Sequence, residues 1–273
     1  MIIAQISDLH VQAAGQKAYG IVDTNGLLAA AIAQLNRLTP QPDVVIATGD
    51  LVDEGTPAEY AMLKTLLAPL KAPLYLALGN HDERTAFRQV FPELPYVPAT
   101  GFIHYTIEDY PLRLIVLDTL VAGEGYGDMD APRLAWLTAQ LAAQPQRPTV
   151  ILMHHPPFAT GLEGMDRLRC RGHAALAALI AQYPNVQRVA CGHLHRSVQT
   201  AWAGTMGSVA PSVAHQVALK LTVDQPPAFV MEPPALQLHL WHGEAGLVTH
   251  TAYIGDFDAY SYITKEPIAL YAR

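Results

Sequence analysis

Two cysteines in 273 residues are too few for a disulfide framework, so Cys170 and Cys191 are read as reduced thiols. No uninterrupted apolar stretch approaches the ~20 residues of a membrane span. With residue 2 already opening a strand, a cytoplasmic location is expected and no membrane contact. Basic residues are scarce as well: 17 Lys and Arg stand against 24 Asp and Glu, a formal charge of −7. That balance argues against a nucleic-acid polymer held on a general basic surface. A small anion remains admissible if metal ions supply local positive charge. There is no internal repeat and no low-complexity tail.

What the chain does contain is a series of five short Asp, Asn and His motifs, each closing an apolar, strand-like run. They are Asp8-Leu9-His10 after 2–6, Gly49-Asp50 after 44–47, Gly79-Asn80-His81-Asp82 after 74–78, His154-His155 after 150–153, and Gly192-His193-Leu194-His195 after 189–190. Between them lie Ala/Leu-rich stretches whose apolar spacing predicts helices at 27–38, 57–70 and 132–143, the first capped by Asp23 or Asn25. A further strand is expected at 112–117. Strand, helix, strand order with polar motifs at the carboxyl ends predicts an α/β layered fold whose site gathers at that edge. The last seventy residues alternate over 212–222, 236–241 and 247–252 around a Pro-rich stretch, Pro226 to Pro234. They predict antiparallel strands completing a second sheet, plus an extended arm. The expected division is a core over 1–204 and a 205–273 segment of the same domain.

Residues i and i+2 of an extended segment face the same way, so Asp8 with His10, and His193 with His195, each present two ligand groups together. His154 and His155 point apart, and His154 is taken as the ligand, with His155 structural or at the substrate edge. Imidazole and carboxylate without thiolate suit Fe, Mn, Zn or Co. Cys191 is read as a small buried hydrophobe, Asp82 as a turn or capping residue, and Gly49, Gly79 and Gly192 as turn residues. Arg167, Arg169 and Arg171 are read first as a solvated loop before a helix, with contact to a substrate phosphate or ribose as the alternative.

The ordered set Asp-x-His, Gly-Asp, Gly-Asn-His-Asp, His and Gly-His-x-His over 8–195 resembles the calcineurin-like metallophosphoesterases, in particular bacterial cyclic-nucleotide phosphodiesterases and glycerophosphodiesterases. The resemblance implies a four-layer α-β-β-α sandwich of two mixed sheets flanked by helices. It also implies two divalent metal ions, one on Asp8, His10, Asp50 and His195 and the other on Asp50, Asn80, His154 and His193, with Asp50 bridging. His81 then stands beside the phosphate as a catalytic group, Asp53 orients it, and Asn80, His81 and His215 lie near substrate. The implied activity is hydrolysis of a small phosphodiester, 3′,5′-cyclic AMP ahead of glycerophosphodiesters, with a non-catalytic interaction scaffold as the competing class. Exposed apolar strands such as 229–231 lead us to expect a homo-oligomer.

Overall fold

The computed structural model describes residues 1–222 and 227–269. In chain order, β1 (Ile2–Ile6), α1 (Thr24–Arg37), β2 (Val44–Thr48), α2 (Pro57–Leu67), β3 (Leu74–Ala77) and α3 (Arg84–Val90) come first. There follow β4 (Tyr105–Ile107), β5 (Arg113–Leu117), α4 (Ala131–Ala143), β6 (Thr149–Met153), α5 (Glu163–Asp166), α6 (His173–Ile180), β7 (Val186–Cys191), β8 (Val198–Trp202) and β9 (Thr205–Val209). The last elements are β10 (Gln216–Val217), β11 (Phe229–Val230), β12 (Ala235–Trp241), β13 (Leu247–Tyr253), β14 (Ala259–Tyr260) and β15 (Pro267–Ile268).

Two mixed sheets form the centre, ordered β13-β12-β1-β2-β3 and β4-β5-β6-β7-β9-β8. β2, β5 and β6 are buried along their whole length, as continuous apolar strands in parallel arrays must be. One apolar cluster fills the space between the sheets and under α1 and α2; another lies between the outer face of the second sheet and α4 and α6. This is the expected four-layer sandwich. Local chemistry sets the helix starts: Asp23 accepts from the Gly26 N–H at 3.0 Å, and Thr56 and Glu59 close a reciprocal capping box ahead of Pro57.

The carboxyl-terminal expectation needs a correction. β12 and β13 extend the first sheet, with β12 antiparallel on the edge of β1 that β2 leaves free, while only β9 and β8 add to the second sheet. Alternation identifies a strand but says nothing about which open edge receives it. The run 212–222 forms a strand only at Gln216–Val217, paired with Phe229–Val230 in a short hairpin. Pro226 lies outside the described residues.

An arginine–carboxylate pair joins the two halves away from the strand-end motifs. Arg84, opening α3, donates from Nε and Nη2 to both carboxylate oxygens of Asp118, just past β5, each at 2.6 Å. Asp118 is 1% exposed and also accepts from the Ile103 and Leu120 N–H groups. Removing one partner of such a pair strands the other in a low-dielectric interior. Arg84→Ala is expected to lower unfolding free energy by about 2 to 4 kcal/mol, measured by urea denaturation; a change below about 0.5 kcal/mol would show that the pair does not join the halves.

Candidate metal centre

Each motif sits just past a strand end, and the two sheets bring those ends together. The His154 Nδ1–H donates across the sheets to the Thr48 carbonyl at 2.8 Å, and the His193 N–H donates to Asp8 Oδ1 at 2.9 Å. The chain does not stay extended through the Asp8/His10 and His193/His195 pairs, as the i, i+2 argument assumed. β1 stops at Ile6 and β7 at Cys191, and Asp8, His10, Asp50, His193 and His195 all take positive φ, from 45° to 74°. Left-handed backbone strains a side-chain-bearing residue by about 1 kcal/mol or more. The Asp50 carbonyl offsets part of this by accepting from the N–H groups of Leu9 and His10.

The glycines serve space more than turning. Gly49 has φ +95°, but a Cβ there would strike the His154 ring. At Gly79 and Gly192, which have no positive φ, it would strike Asp50 and Ser7. Asp82 is the organiser expected of a turn residue: Oδ2 accepts from the Gly79 and Leu51 N–H groups at 2.8 and 3.1 Å, and Oδ1 from the Tyr60 hydroxyl at 2.9 Å. Burial, and then the Asp50 charge, push its pKa up to about 7.

Hydrogen bonds fix the direction of the imidazole lone pairs. Carbonyl oxygens only accept, so His154 on Thr48 and His195 on the His215 carbonyl (2.9 Å) carry their hydrogens on Nδ1. His10 Nδ1 faces Asp53 Oδ1 at 2.9 Å. The Nε2 atoms are therefore turned on other acceptors. His10 Nε2 lies 3.1 Å from His195 Nε2, and His195 Nε2 lies 3.5 Å from Asp8 Oδ1. His154 Nε2 lies 3.2 Å from Asn80 Oδ1 and 3.3 Å from Asp50 Oδ2. Asp8 Oδ2 and His193 Nε2 are buried with no partner. Acceptors packed so closely need a positive species between them, either a proton or a metal ion.

The donor set fits two such ions. Asp8, His10, Asp50 and His195 offer atoms all within 4.8 Å of one another, as do His154, His155 and His193. Asp50 Oδ2 stands between the two groups, 3.7 Å from His10 Nε2 and 3.3 Å from His154 Nε2. Burial drives His193 and His195 down to about 3, helped by the neighbouring His154 and His10 charges. Burial also opposes the charge on His154, but Asp50 and Asp8 overcome it and hold that ring up to about 9.

The remaining candidates are placed as follows. His81 donates its N–H to Asp50 Oδ1 at 2.9 Å and its Nδ1–H to the Asp53 main-chain carbonyl at 2.7 Å. The Asp53 carboxylate, expected to orient His81, lies 3.8 Å from its Nδ1 and is engaged instead by His10 and by Gln12 Nε2 at 2.6 Å. His155 is fully buried and meets Thr119 Oγ1 at 2.8 Å. Cys191 packs in the outer apolar cluster and Cys170 is likewise a buried free thiol. His215 is 2% exposed, its ring 4.7 Å from that of His195.

Over these groups opens a cleft of about 590 Å³. Its walls fall in the loops 11–25 and 155–171, the stretches from which the sequence leads us to expect substrate choice, although nothing in the sequence singles out Tyr19, stacked on Phe229 at 4.8 Å, or Leu162 and Met165 within them. A lone aromatic in a loop carries no periodic signal. Phe229, expected on an exposed apolar strand, is half-buried in this stack. Of the three arginines, Arg167 lines the cleft, whereas Arg171 lies 3.3 Å over the Tyr126 ring.

A two-sheet sandwich with this donor set at its edge defines a metal-dependent phosphoesterase. Residues 1–197 match the family model described as calcineurin-like phosphoesterase, and the chain belongs to that family. It is 41% identical over 259 residues to a probable glycerophosphodiester phosphodiesterase, GpdQ, of Arcobacter nitrofigilis, covering 94% of this chain and 95% of that protein. To a cAMP/cGMP dual specificity phosphodiesterase of Mycobacterium tuberculosis it is 34% identical, over 78% of this chain and 68% of the other. Its fold matches that of a dimetal phosphatase from Danio rerio with a TM-score of 0.65 at 13% identity, covering 93% and 99% of the two chains. The chain is a metal-dependent phosphodiester hydrolase.

Two outcomes follow from this geometry. Asp82→Ala leaves two buried N–H groups unpaired and is expected to lower stability by about 2 to 4 kcal/mol, read by thermal or urea unfolding; an unchanged midpoint would remove Asp82 as the organiser. In the metal-free chain the His154 site is protonated below about 9, and a cation needs its Nε2 lone pair. Metal uptake at pH 7 should therefore release a proton, and affinity should fall about tenfold per unit as pH drops, which calorimetry in buffers of different ionisation heat detects. Uptake with no proton release between pH 6 and 8 would contradict this account.

Proposed function

We propose that this protein hydrolyses small phosphodiester monoanions, 3′,5′-cyclic AMP first, using two divalent ions drawn from Fe, Mn, Zn or Co. The observation that carries this is the pair of acceptor clusters sharing Asp50. Asp8, His10, Asp50 and His195 hold one ion, and Asp50, Asn80, His154 and His193 the other. When bound, two such ions act as Lewis acids toward phosphoryl oxygens and acidify water near neutral pH. Two dications against two carboxylates leave a formal charge of +2, which suits a monoanionic diester.

The chain's own groups supply the rest. The His81 Nδ1–H is held by a main-chain carbonyl, which leaves Nε2 facing the cleft as the atom through which a proton passes to the leaving oxygen, a contribution of typically ~10²- to 10⁴-fold. Asp53 holds His10 and, through its carbonyl, His81. Asn80 keeps its amide N–H₂ for a phosphoryl oxygen, and His215 closes the metal side of the cleft near substrate. Tyr19, Phe229, Leu162 and Met165 give apolar walls that suit a nucleobase.

Glycerophosphodiester hydrolysis is the second reading, favoured by the near-complete match to a relative of that name. No helix among the described residues is long and apolar enough to cross a membrane, and the buried free thiols suit the reducing cytoplasm. Exposed Met231, Tyr262 and Ile263 support self-association, and a monomer by light scattering at micromolar concentration would reject it.

The deciding experiment compares kcat/KM for cyclic AMP, glycerophosphoethanolamine and a phosphomonoester with Mn- or Co-loaded protein. His81→Ala should reduce kcat by about 10² or more, and Asn80→Ala should lower both metal content and turnover. His215→Ala should impair turnover more than metal content. Full activity in His81→Ala and Asn80→Ala would dismiss this centre.

A further inference from the structure

One wall of the cleft is the hairpin of β10 and β11, which among the described residues pairs with no strand of either large sheet. It brings Val217, Ala228 and Phe229 to the cleft, and Phe229 stacks on Tyr19. A two-stranded hairpin is marginal on its own, so its place over the metal floor depends on what ties its root to the body. Two consecutive residues of the turn between β7 and β8 do so. His195 donates from Nδ1 to the His215 carbonyl at 2.9 Å, and Arg196 donates from Nη1 to the Val217 carbonyl at 2.8 Å. Carbonyls two apart on a strand turn the same way, so these two side chains occupy the edge of β10 opposite β11. Arg196 Nη1 also reaches Glu232 Oε2, just past β11, at 2.7 Å. One guanidinium thus grips both strands of the hairpin from the position that follows a metal-site histidine.

We infer that Arg196 is a positioning residue of the proposed phosphodiesterase site: it fixes the β10–β11 wall against the turn that bears His195 and so sets how tightly the substrate's group beyond the phosphorus is held. The inference rests on the diesterase reading and deepens it. Phosphoryl oxygens are held on the floor, which strand ends support, so a loosened wall leaves that part of binding in place. What is lost is the contact of Phe229 and Tyr19 with the alcohol portion. Exposure ranks the two bonds that Arg196 makes. Its side chain is 18% exposed and that of Glu232 is 46%, and an ion pair at such a rim contributes little by itself. A charge-assisted bond to a main-chain carbonyl is the stronger tie. The Val217 bond therefore carries the clamp, and Glu232 orients the guanidinium onto it.

The test compares calorimetric binding of adenosine 5′-monophosphate and of inorganic phosphate to the metal-loaded full chain, with KM and kcat for cyclic AMP alongside. Both ligands offer phosphoryl oxygens to the floor, and only the nucleotide reaches the wall. Arg196→Met, which keeps the apolar stem, should weaken the nucleotide about tenfold and phosphate less than about twofold. It should raise KM about tenfold, hold kcat within about twofold, and leave metal content unchanged. Arg196→Lys, which keeps the charge and a donor, should recover most of the loss. Glu232→Gln should weaken the nucleotide about threefold, and the double variant should be no worse than Arg196→Met alone, because residues acting as one unit are not additive. Glu232→Gln, a change at the rim, carries the same comparison of nucleotide and phosphate if Arg196→Met does not fold. Equal weakening of the two ligands, no change in either, or effects that multiply in the double variant would overturn the inference while leaving the diesterase reading intact. Failure of the wild type to hydrolyse any diester, including bis(p-nitrophenyl) phosphate, overturns that reading and the inference with it.

Discussion

Electron pairs crowd together where the two sheets meet, and the rest of the structure is arranged to tolerate this. His10 and His195 turn Nε2 atoms on one another at 3.1 Å, and His154 turns its Nε2 on the oxygens of Asn80 and Asp50. None of these contacts is stable between bare lone pairs in a buried setting, with neither a proton nor a metal ion between them. The centre is therefore incomplete without positive charge. The donor set fits two ions because Asp50 lies between two groups of donors rather than within one.

Holding acceptors in that arrangement requires rigid support from behind. The rings of His154, His195 and His10 are locked through their other nitrogen, by the Thr48 and His215 carbonyls and by the Asp53 carboxylate respectively. Such outer partners fix ring orientation and raise ligand basicity. Five residues of the centre keep left-handed backbone conformations that only a surrounding network of main-chain hydrogen bonds can maintain. Gly49, Gly79 and Gly192 are then dictated by crowding: a methyl group at any of them meets a neighbouring side chain of the centre or of Ser7.

The cleft above obeys a different logic. Its floor is polar and fixed by strand ends, whereas its walls come from the loop around α5 and the β10–β11 hairpin, segments not built into either large sheet. Reaction chemistry and substrate choice are thus carried by separate parts of the chain, as expected where function is grafted onto a stable scaffold. The apolar walls leave room for selection by the leaving group without any change in the floor.

Much of this was legible in sequence because strand-end motifs depend on local order. Asp8, His10, Asp50, Asn80, His154, His193 and His195 each follow an apolar run that identifies its strand, and α1, α2 and α4 follow from spacing and caps. The pairing of β12 with β1, the left-handed turns that replaced the expected extended geometry, and the partner of the Asp53 carboxylate could not be read that way. Edge choice, backbone strain and hydrogen-bond competition depend on what lies across the sheet. The sequence by itself determined which donor side chains exist and that they follow strand ends, since residue identity and hydrophobic period are local properties. Only the tertiary structure decided that Tyr19, Arg167, Lys220 and Phe229 share one cleft, because their proximity comes from loops brought together by packing of the two sheets.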